Sequence, residues 1–228
     1  MARIRIEAVS LRYGEREVLR SVDLELTEQR IGIVGGNGSG KSTLARLLNG
    51  LILPTEGTVR VDGLDTRRQG AAVRRLVGFV FTDPDAQIVM PTVAEDVAFS
   101  LRRSGLTKAQ VAERVAEALE RFGLGGHADH PAHLLSGGQK QLLAFTAVLV
   151  AGPQVLVCDE PTTLLDERNA RRVAALIDGL PQQVIMITHH LHQLEGFDRV
   201  LVIDEGRVIA DAAPAEALVA YRQLLARS

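Results

Sequence analysis

The sequence predicts an α/β chain with a mostly parallel core sheet, an antiparallel β lobe and a helical lobe. Three observations carry that reading. Short alternating apolar runs fill the amino-terminal part, as half-buried antiparallel strands require. The carboxyl-terminal part runs QVLVCD, RNARRVAALIDGL, QQVIMIT and RVLVID, buried strands interleaved with a helix, the order of parallel strands with helices on their faces. Between them, three helical segments fall within residues 92–150, the last set off by a loop at 125–135.

Taken in order, the first segment alternates: Ile4, Ile6 and Ala8 face one way, Arg3, Arg5 and Glu7 the other. VLRSVDLEL at 18–26 repeats the pattern, and RIGIV at 30–34 is more fully apolar, a buried central strand. KSTLARLLNGL reads as a helix, GTVRVDG at 57–63 as a short strand between turns, and AVRRL as a short helix. VGFVFTDPDAQ at 77–87 starts as an apolar strand, stops at Thr82 and turns acidic through Asp83, Pro84 and Asp85; Asp-Pro is a turn signal. TVAEDVAFSLRRSG opens with a threonine and an acidic residue three positions on, a capping-box pattern. TKAQVAERVAEALERFG places Val111, Val115, Ala118, Leu119 and Phe122 on one helical face. GGHADHPAHLL is a loop, residues 137–150 form a further helix, and APAEALVAYRQLLARS at 213–228 is a terminal helix.

Bulk properties exclude several function classes. A formal net charge of -2 gives no basic field for nucleic acid, so no nucleic-acid partner is expected. A single cysteine, Cys158, forbids an internal disulfide framework and reads as a small core residue. MARIRIEAVS has no apolar secretory core. The longest apolar stretch is interrupted by Gly152 and Pro153 and does not read as a membrane span. Work at a membrane would need another subunit to hold the chain there.

GGNGSGKST, from Gly35 to Thr43, follows the strand IGIV and precedes a helix, the context of a P-loop. Gly35, Gly36, Asn37, Gly38, Ser39 and Gly40 supply backbone N–H groups that can curl round phosphate oxygens. Lys41 can reach the β- and γ-phosphates, the Ser42 hydroxyl can meet Mg²⁺, and Thr43 lies at the helix start. The fold class is therefore that of a P-loop NTPase. At the end of VLVCDE, Asp159 can coordinate Mg²⁺ and Glu160 can orient or deprotonate an attacking water. LLSGGQKQ at 134–141 offers a second oxyanion turn at Ser136, Gly137 and Gly138. One nucleotide does not need two cradles in one domain, so the second would serve a nucleotide on a partner molecule.

These motifs together resemble the nucleotide-binding subunits of the ATP-binding cassette transporter family. The P-loop, LSGGQ at 135–139, VLVCDEPT at 155–162, LLD at 164–166 and His189 after a strand occur in the family's order and span nearly the whole chain. The resemblance implies one cassette domain over 1–228, with a helical subdomain of about 83–152 inserted in the P-loop core. It implies ATP and Mg²⁺ as ligands and ATP hydrolysis as the activity. Tyr13 would stack on adenine; Ser136, Gly137, Gly138 and Gln139 would cap the γ-phosphate bound by the opposite subunit; Asp166 would organise the dimer interface, although alone it reads as an ordinary helix N-cap; and His189 would touch the γ-phosphate beside Glu160.

Within the family, VGFVFTDPDAQ, PTVAEDVAF and LSGGQKQ resemble ATPases of energy-coupling-factor importers for vitamins, cobalt and nickel. The short carboxyl end is most similar to the ATPase of biotin uptake systems, with cobalt or nickel import as the alternative. The implied partners are a second cassette subunit, a homodimer on these motifs, a transmembrane coupling protein and a small membrane-embedded substrate-binding protein. The implied place is the cytoplasmic face of the membrane, peripherally bound. Residues 82–101 are the candidate docking region, whose apolar positions serve equally as core. Thr82 stands where the family has a glutamine, and a threonine is shorter with a hydroxyl in place of an amide. That departure opens a rival reading, a nucleotide-switched scaffold with little hydrolysis. Gly36 for proline, and Lys140, are read as minor departures.

Overall fold

A computed structural model describes residues 1–226; the last two residues of the expected terminal helix lie outside the described residues. The chain runs β1 (Ile4–Tyr13), β2 (Arg16–Leu26), β3 (Arg30–Gly35), α1 (Lys41–Leu48), β4 (Glu56–Val61), β5 (Leu64–Asp65), α2 (Gly70–Leu76) and β6 (Val77–Val80). It continues through α3 (Val93–Ser100), α4 (Lys108–Arg121), α5 (Gly137–Leu149), β7 (Val155–Asp159), α6 (Glu167–Asp178) and β8 (Gln183–Ile187). It ends with β9 (Arg199–Asp204), β10 (Arg207–Ala212) and α7 (Pro214–Leu225).

Two compact units divide the chain. The first holds residues 1–78, 154–160 and 180 onward. Its sheets are a four-stranded one, ordered β2-β1-β4-β5, and a larger one ordered β10-β9-β3-β8-β7-β6. β3 pairs in parallel with both β8 and β9, and β7 pairs in parallel with β8. These central strands are buried along nearly their whole length, which is why they read as continuous apolar runs. Burying each such Val, Ile or Leu stabilises by about 1.5–3 kcal/mol. The expected mixture of parallel core and antiparallel lobe is thus present.

Two details differ from the sequence reading. Ala8 is exposed, because β1 bulges there: its φ is 49°, and the register against β2 shifts between Ile6 and Val9. The bulge returns Val9 and Leu11 to the core, where strict alternation would have aimed Ala8. β10 was not expected at all. It is the antiparallel edge strand, joined to β9 by a tight turn at Glu205 and Gly206, both with positive φ, the geometry of a two-residue hairpin. Arg199 of β9 clamps Asp211 of β10 through two nitrogens at 2.6 Å and reaches Glu28 at 3.0 Å.

The second unit, residues 79–153 and 161–179, is the helical lobe. α3, α4 and α5 each begin with a full capping box, at Thr92 and Glu95, Thr107 and Gln110, and Ser136 and Gln139. α4 buries Val115 and Leu119, with Phe122 buried at its C-cap, while Val111 and Ala118 of the expected face are half-buried. α5 buries Leu142, Leu143, Ala144, Phe145, Thr146 and Ala147, nearly all round, as a central helix does.

Candidate functional site

In the first unit, β3 delivers the chain into the turn Gly36–Gly40, and α1 begins at Lys41. Gly35 has to be glycine, because a Cβ there would overlap the carbonyl oxygen of Ile203. The buried Tyr221 hydroxyl of α7 donates to the Gly35 carbonyl at 3.3 Å, and the Gly206 N–H donates to the Ser39 carbonyl at 2.9 Å. These contacts hold the turn in place from the edge hairpin and the terminal helix. The buried Ser39 hydroxyl has no hydrogen-bond partner among the described residues, a polar group suited to a ligand. α1 has Gly40 as N-cap, no side-chain cap and no acidic residue in its first turn, so the positive end of its dipole is not offset locally.

Lys41 is buried and folds back across the turn, donating to the carbonyls of Gly35 at 2.8 Å and Gly36 at 2.7 Å. Burial lowers its ammonium below the ordinary lysine value, against the opposing pull of the Glu160 and Asp159 charges. The Ser42 hydroxyl donates to Asp159 Oδ1 at 2.8 Å, joining residues 117 positions apart. Asp159, at the end of β7, is 3% exposed, and burial holds its carboxyl above the usual carboxylate range; the Ser42 hydrogen bond and Arg46, 3.7 Å away, pull it back. A hydroxyl and a buried carboxylate are hard oxygen donors, the set that suits magnesium. Among the described residues no group of three or more His, Cys, Asp or Glu gathers to hold a metal.

Glu160 follows directly and takes a left-handed backbone, φ 51°. Such a conformation costs about 1–3 kcal/mol in a non-glycine residue. Its N–H donates to the Ile187 carbonyl at 3.0 Å, which keeps the strand end beside β8. β8 in turn presents His189, whose Nε2 lies 2.6 Å from Glu160 Oε1. His189, rather than its neighbour His190, makes this pair. Cys158 is fully buried and its thiol is pushed up by that burial, so it is core, as expected. Tyr13 ends β1 with 56% of its surface exposed, open to a flat ligand.

The second unit carries the SGGQ turn. Ser136 Oγ accepts from the Gln139 N–H at 3.4 Å, and Gln139 Oε1 accepts from the Ser136 N–H at 2.9 Å. Gly138 has to be glycine, because a Cβ would overlap the side chain of Asn169. Asp166 caps α6, accepting from the Asn169 N–H and side-chain amide, both at 2.8 Å; these bonds hold its carboxyl below the usual range, the backbone one most. Asp166 therefore fixes the residue that packs on the SGGQ helix.

The loop after β6 is fastened to α5 by residues that the sequence reading set aside. Gln87 accepts from the Phe81 N–H at 3.2 Å and donates to the Ala144 carbonyl at 3.2 Å. Lys140 pairs with Asp85 at 2.7 Å, tying the loop to the start of α5. PDAQ and SGGQK each carry one half of that charge pair, Asp85 and Lys140.

An ABC transporter family model matches residues 19–163. A Deinococcus radiodurans protein provisionally named an ABC transporter ATP-binding protein is 59% identical, over 96% of this chain and 97% of that one. A biotin transport ATP-binding protein of Rhizobium etli is 47% identical, over 98% of this chain and 99% of that one. A solved Clostridium perfringens protein, described as part of an ABC transporter complex, superposes with a TM-score of 0.83 at 32% identity, over 98% of this chain and 93% of that one.

Proposed function

The chain belongs to the ABC transporter family, and on that premise we propose how its residues divide the work. It is the ATP-binding, ATP-hydrolysing subunit of an importer of the energy-coupling-factor or cobalt/biotin kind. The observation that carries the residue assignment is the convergence, within the first unit, of Lys41 on the turn, Ser42 on Asp159 and His189 on Glu160.

Gly35 through Thr43 cradle the phosphates through backbone N–H groups at the start of α1, and Tyr13 stacks on the base. A magnesium ion, held by Ser42 and Asp159, neutralises charge on the β- and γ-phosphate oxygens when bound. Lys41 releases the Gly35 and Gly36 carbonyls to place its ammonium on the phosphate oxygens. Glu160 accepts a proton from water as the water oxygen attacks the γ-phosphorus and the bond to the β–γ bridging oxygen breaks. His189 orients Glu160 through their 2.6 Å contact and steadies the terminal phosphate. Ser136, Gly137, Gly138 and Gln139 serve the nucleotide of a second copy, with Asp166 supporting that face. The biotin transport relatives and the sequence motifs support biotin as cargo, with cobalt or nickel as the alternative, and a coupling protein and a small substrate-binding protein as membrane partners. No helix among the described residues is long and apolar enough to cross a membrane. Residues 82–101 offer a docking surface, on which Val89 is 63% and Phe99 40% exposed.

Replacing Glu160 with glutamine is expected to lower kcat by about 10²-fold or more while leaving ATP binding within about twofold. Turnover near wild type would reject the base role. Affinity purification from native membranes, with partner mass spectrometry and turnover of the recovered complex, tests the transport reading. Two multispanning partners with hydrolysis support it. Assembly that binds ATP without turnover moves the reading to a nucleotide-switched scaffold.

A further inference from the structure

We propose that His127 is a positioning residue for the SGGQ turn, acting as the hydrogen-bond acceptor that orients Gln139. The inference rests on the reading of that turn as the cap for a second copy's nucleotide. Gln139 Oε1 is committed to the Ser136 N–H at 2.9 Å. The other end of the side-chain amide is therefore its NH₂ group, and it faces His127 Nε2 at 3.0 Å. Two donors cannot share that contact, so Nε2 carries the lone pair and the ring proton sits on Nδ1. Nδ1 is buried and has no hydrogen-bond partner among the described residues. A buried donor left unmatched is costly, so the ring is kept in this tautomer by its Nε2 contact and not by its own satisfaction.

The ring has little freedom to do otherwise. Its backbone N–H donates to the Leu124 carbonyl at 2.8 Å, its carbonyl accepts from the His130 N–H at 2.9 Å, and the His130 ring meets it edge-on at 5.6 Å. Without the acceptor, the Gln139 NH₂ loses its partner, and the amide is free to turn away from the Ser136 N–H. That breaks the side-chain half of the capping box and loosens the backbone that aims the Ser136 hydroxyl, the group proposed to meet phosphate.

The test uses the full-length chain and steady-state ATP hydrolysis across ATP concentrations, with melting curves for every variant. His127→Gln places an acceptor where Nε2 stands, His127→Asn places one only where Nδ1 stands, and His127→Leu has none. Expected are kcat values lowered about five- to tenfold in His127→Leu and His127→Asn, recovered to within about threefold in His127→Gln, with KM for ATP little changed throughout. Equal losses in the Gln and Asn variants overturn the proposal, because a merely structural ring would not distinguish them. Ser136→Ala separates the two claims. If it hydrolyses at the wild-type rate, the reading of the turn fails and takes the proposal with it. If it is slow while His127→Leu and His127→Asn are normal, the proposal alone fails. Long-range ¹H–¹⁵N spectra of the wild-type chain read the tautomer without any substitution: a proton on Nδ1 supports the assignment, and a proton on Nε2 overturns it.

Discussion

Two helix N-termini in this molecule carry glycine-rich turns, and they are finished in opposite ways. α1 starts from Gly40 with no side-chain cap, and the nearest long side chain, Lys41, lies across the turn on carbonyl oxygens. α5 starts from Ser136 with a reciprocal box, so that its third N–H and the Ser136 N–H are both bonded to side-chain oxygens. Neither has an acidic residue in its first turn. The first turn leaves its N–H groups uncapped, and Lys41 would leave two carbonyls to join an anion there. The second has its N–H groups bonded within the box and can offer them only by exchanging one hydrogen bond for another, while the Ser136 hydroxyl, which only accepts in the box, keeps its proton to donate. The backbone of the first turn is thus a preformed site, and that of the second an exchanging one.

The strongest way to sharpen that contrast is Asp159→Asn, which acts on the preformed site alone. Hydrolysis should fall by about 10²-fold, because the charge that holds the metal is gone. Stability should move the other way. The Asp159 carboxyl is raised in the folded chain, chiefly by burial, so its ionised form disfavours folding once pH exceeds the folded-state value. The variant should therefore melt higher at pH 7–8 without magnesium, and the gain should vanish at acid pH, where the carboxyl is protonated folded and unfolded alike. Melting curves across that range decide it; a variant less stable at pH 8 would mean the Arg46 and Ser42 contacts outweigh burial.

Ser136→Ala acts on the exchanging turn. A loss of about tenfold in kcat with ATP binding unchanged is expected, together with about 1 kcal/mol of stability from the lost cap. Nucleotide titration and denaturant unfolding separate the two effects, and a weakened ATP affinity would break the contrast. The smallest effect is expected from Lys140→Ala. Its partner Asp85 is largely exposed, 63% at the side chain, so the pair contributes at most about 1 kcal/mol. Denaturant unfolding with Asp85→Ala and the double variant measures the coupling, and a value well above that would make the loop and α5 a more rigid unit than the contacts imply.

Both turns were legible in sequence to different depths. GGNGSGKST identified the phosphate turn because its chemistry needs neighbouring residues: glycines, a lysine and a hydroxyl within one bend. SGGQ was legible as a second oxyanion turn, and its serine and glutamine three apart also spell a capping box that was not read as one. Lys140 looked inconsequential because its partner lies 55 positions away. His127 lay in what read as a plain loop, since nothing local marks a histidine as an acceptor for a distant amide. Asp166 caps α6, as its sequence position alone suggests, and the same bonds fix Asn169 against Gly138.

By itself the sequence determined the element order apart from β10, the parallel core, the helical lobe and the residue types of the phosphate chemistry. Those follow from periodicity and from contiguous motifs, which depend on neighbours along the chain. Tertiary structure alone decided that β1 bulges at Ala8, that the Ser42 hydroxyl donates to Asp159, and that His127 faces Gln139. Each of these is a match of donors, acceptors or backbone over a few ångströms between distant segments. Such a match is set by strand register and helix packing, and no local pattern encodes it.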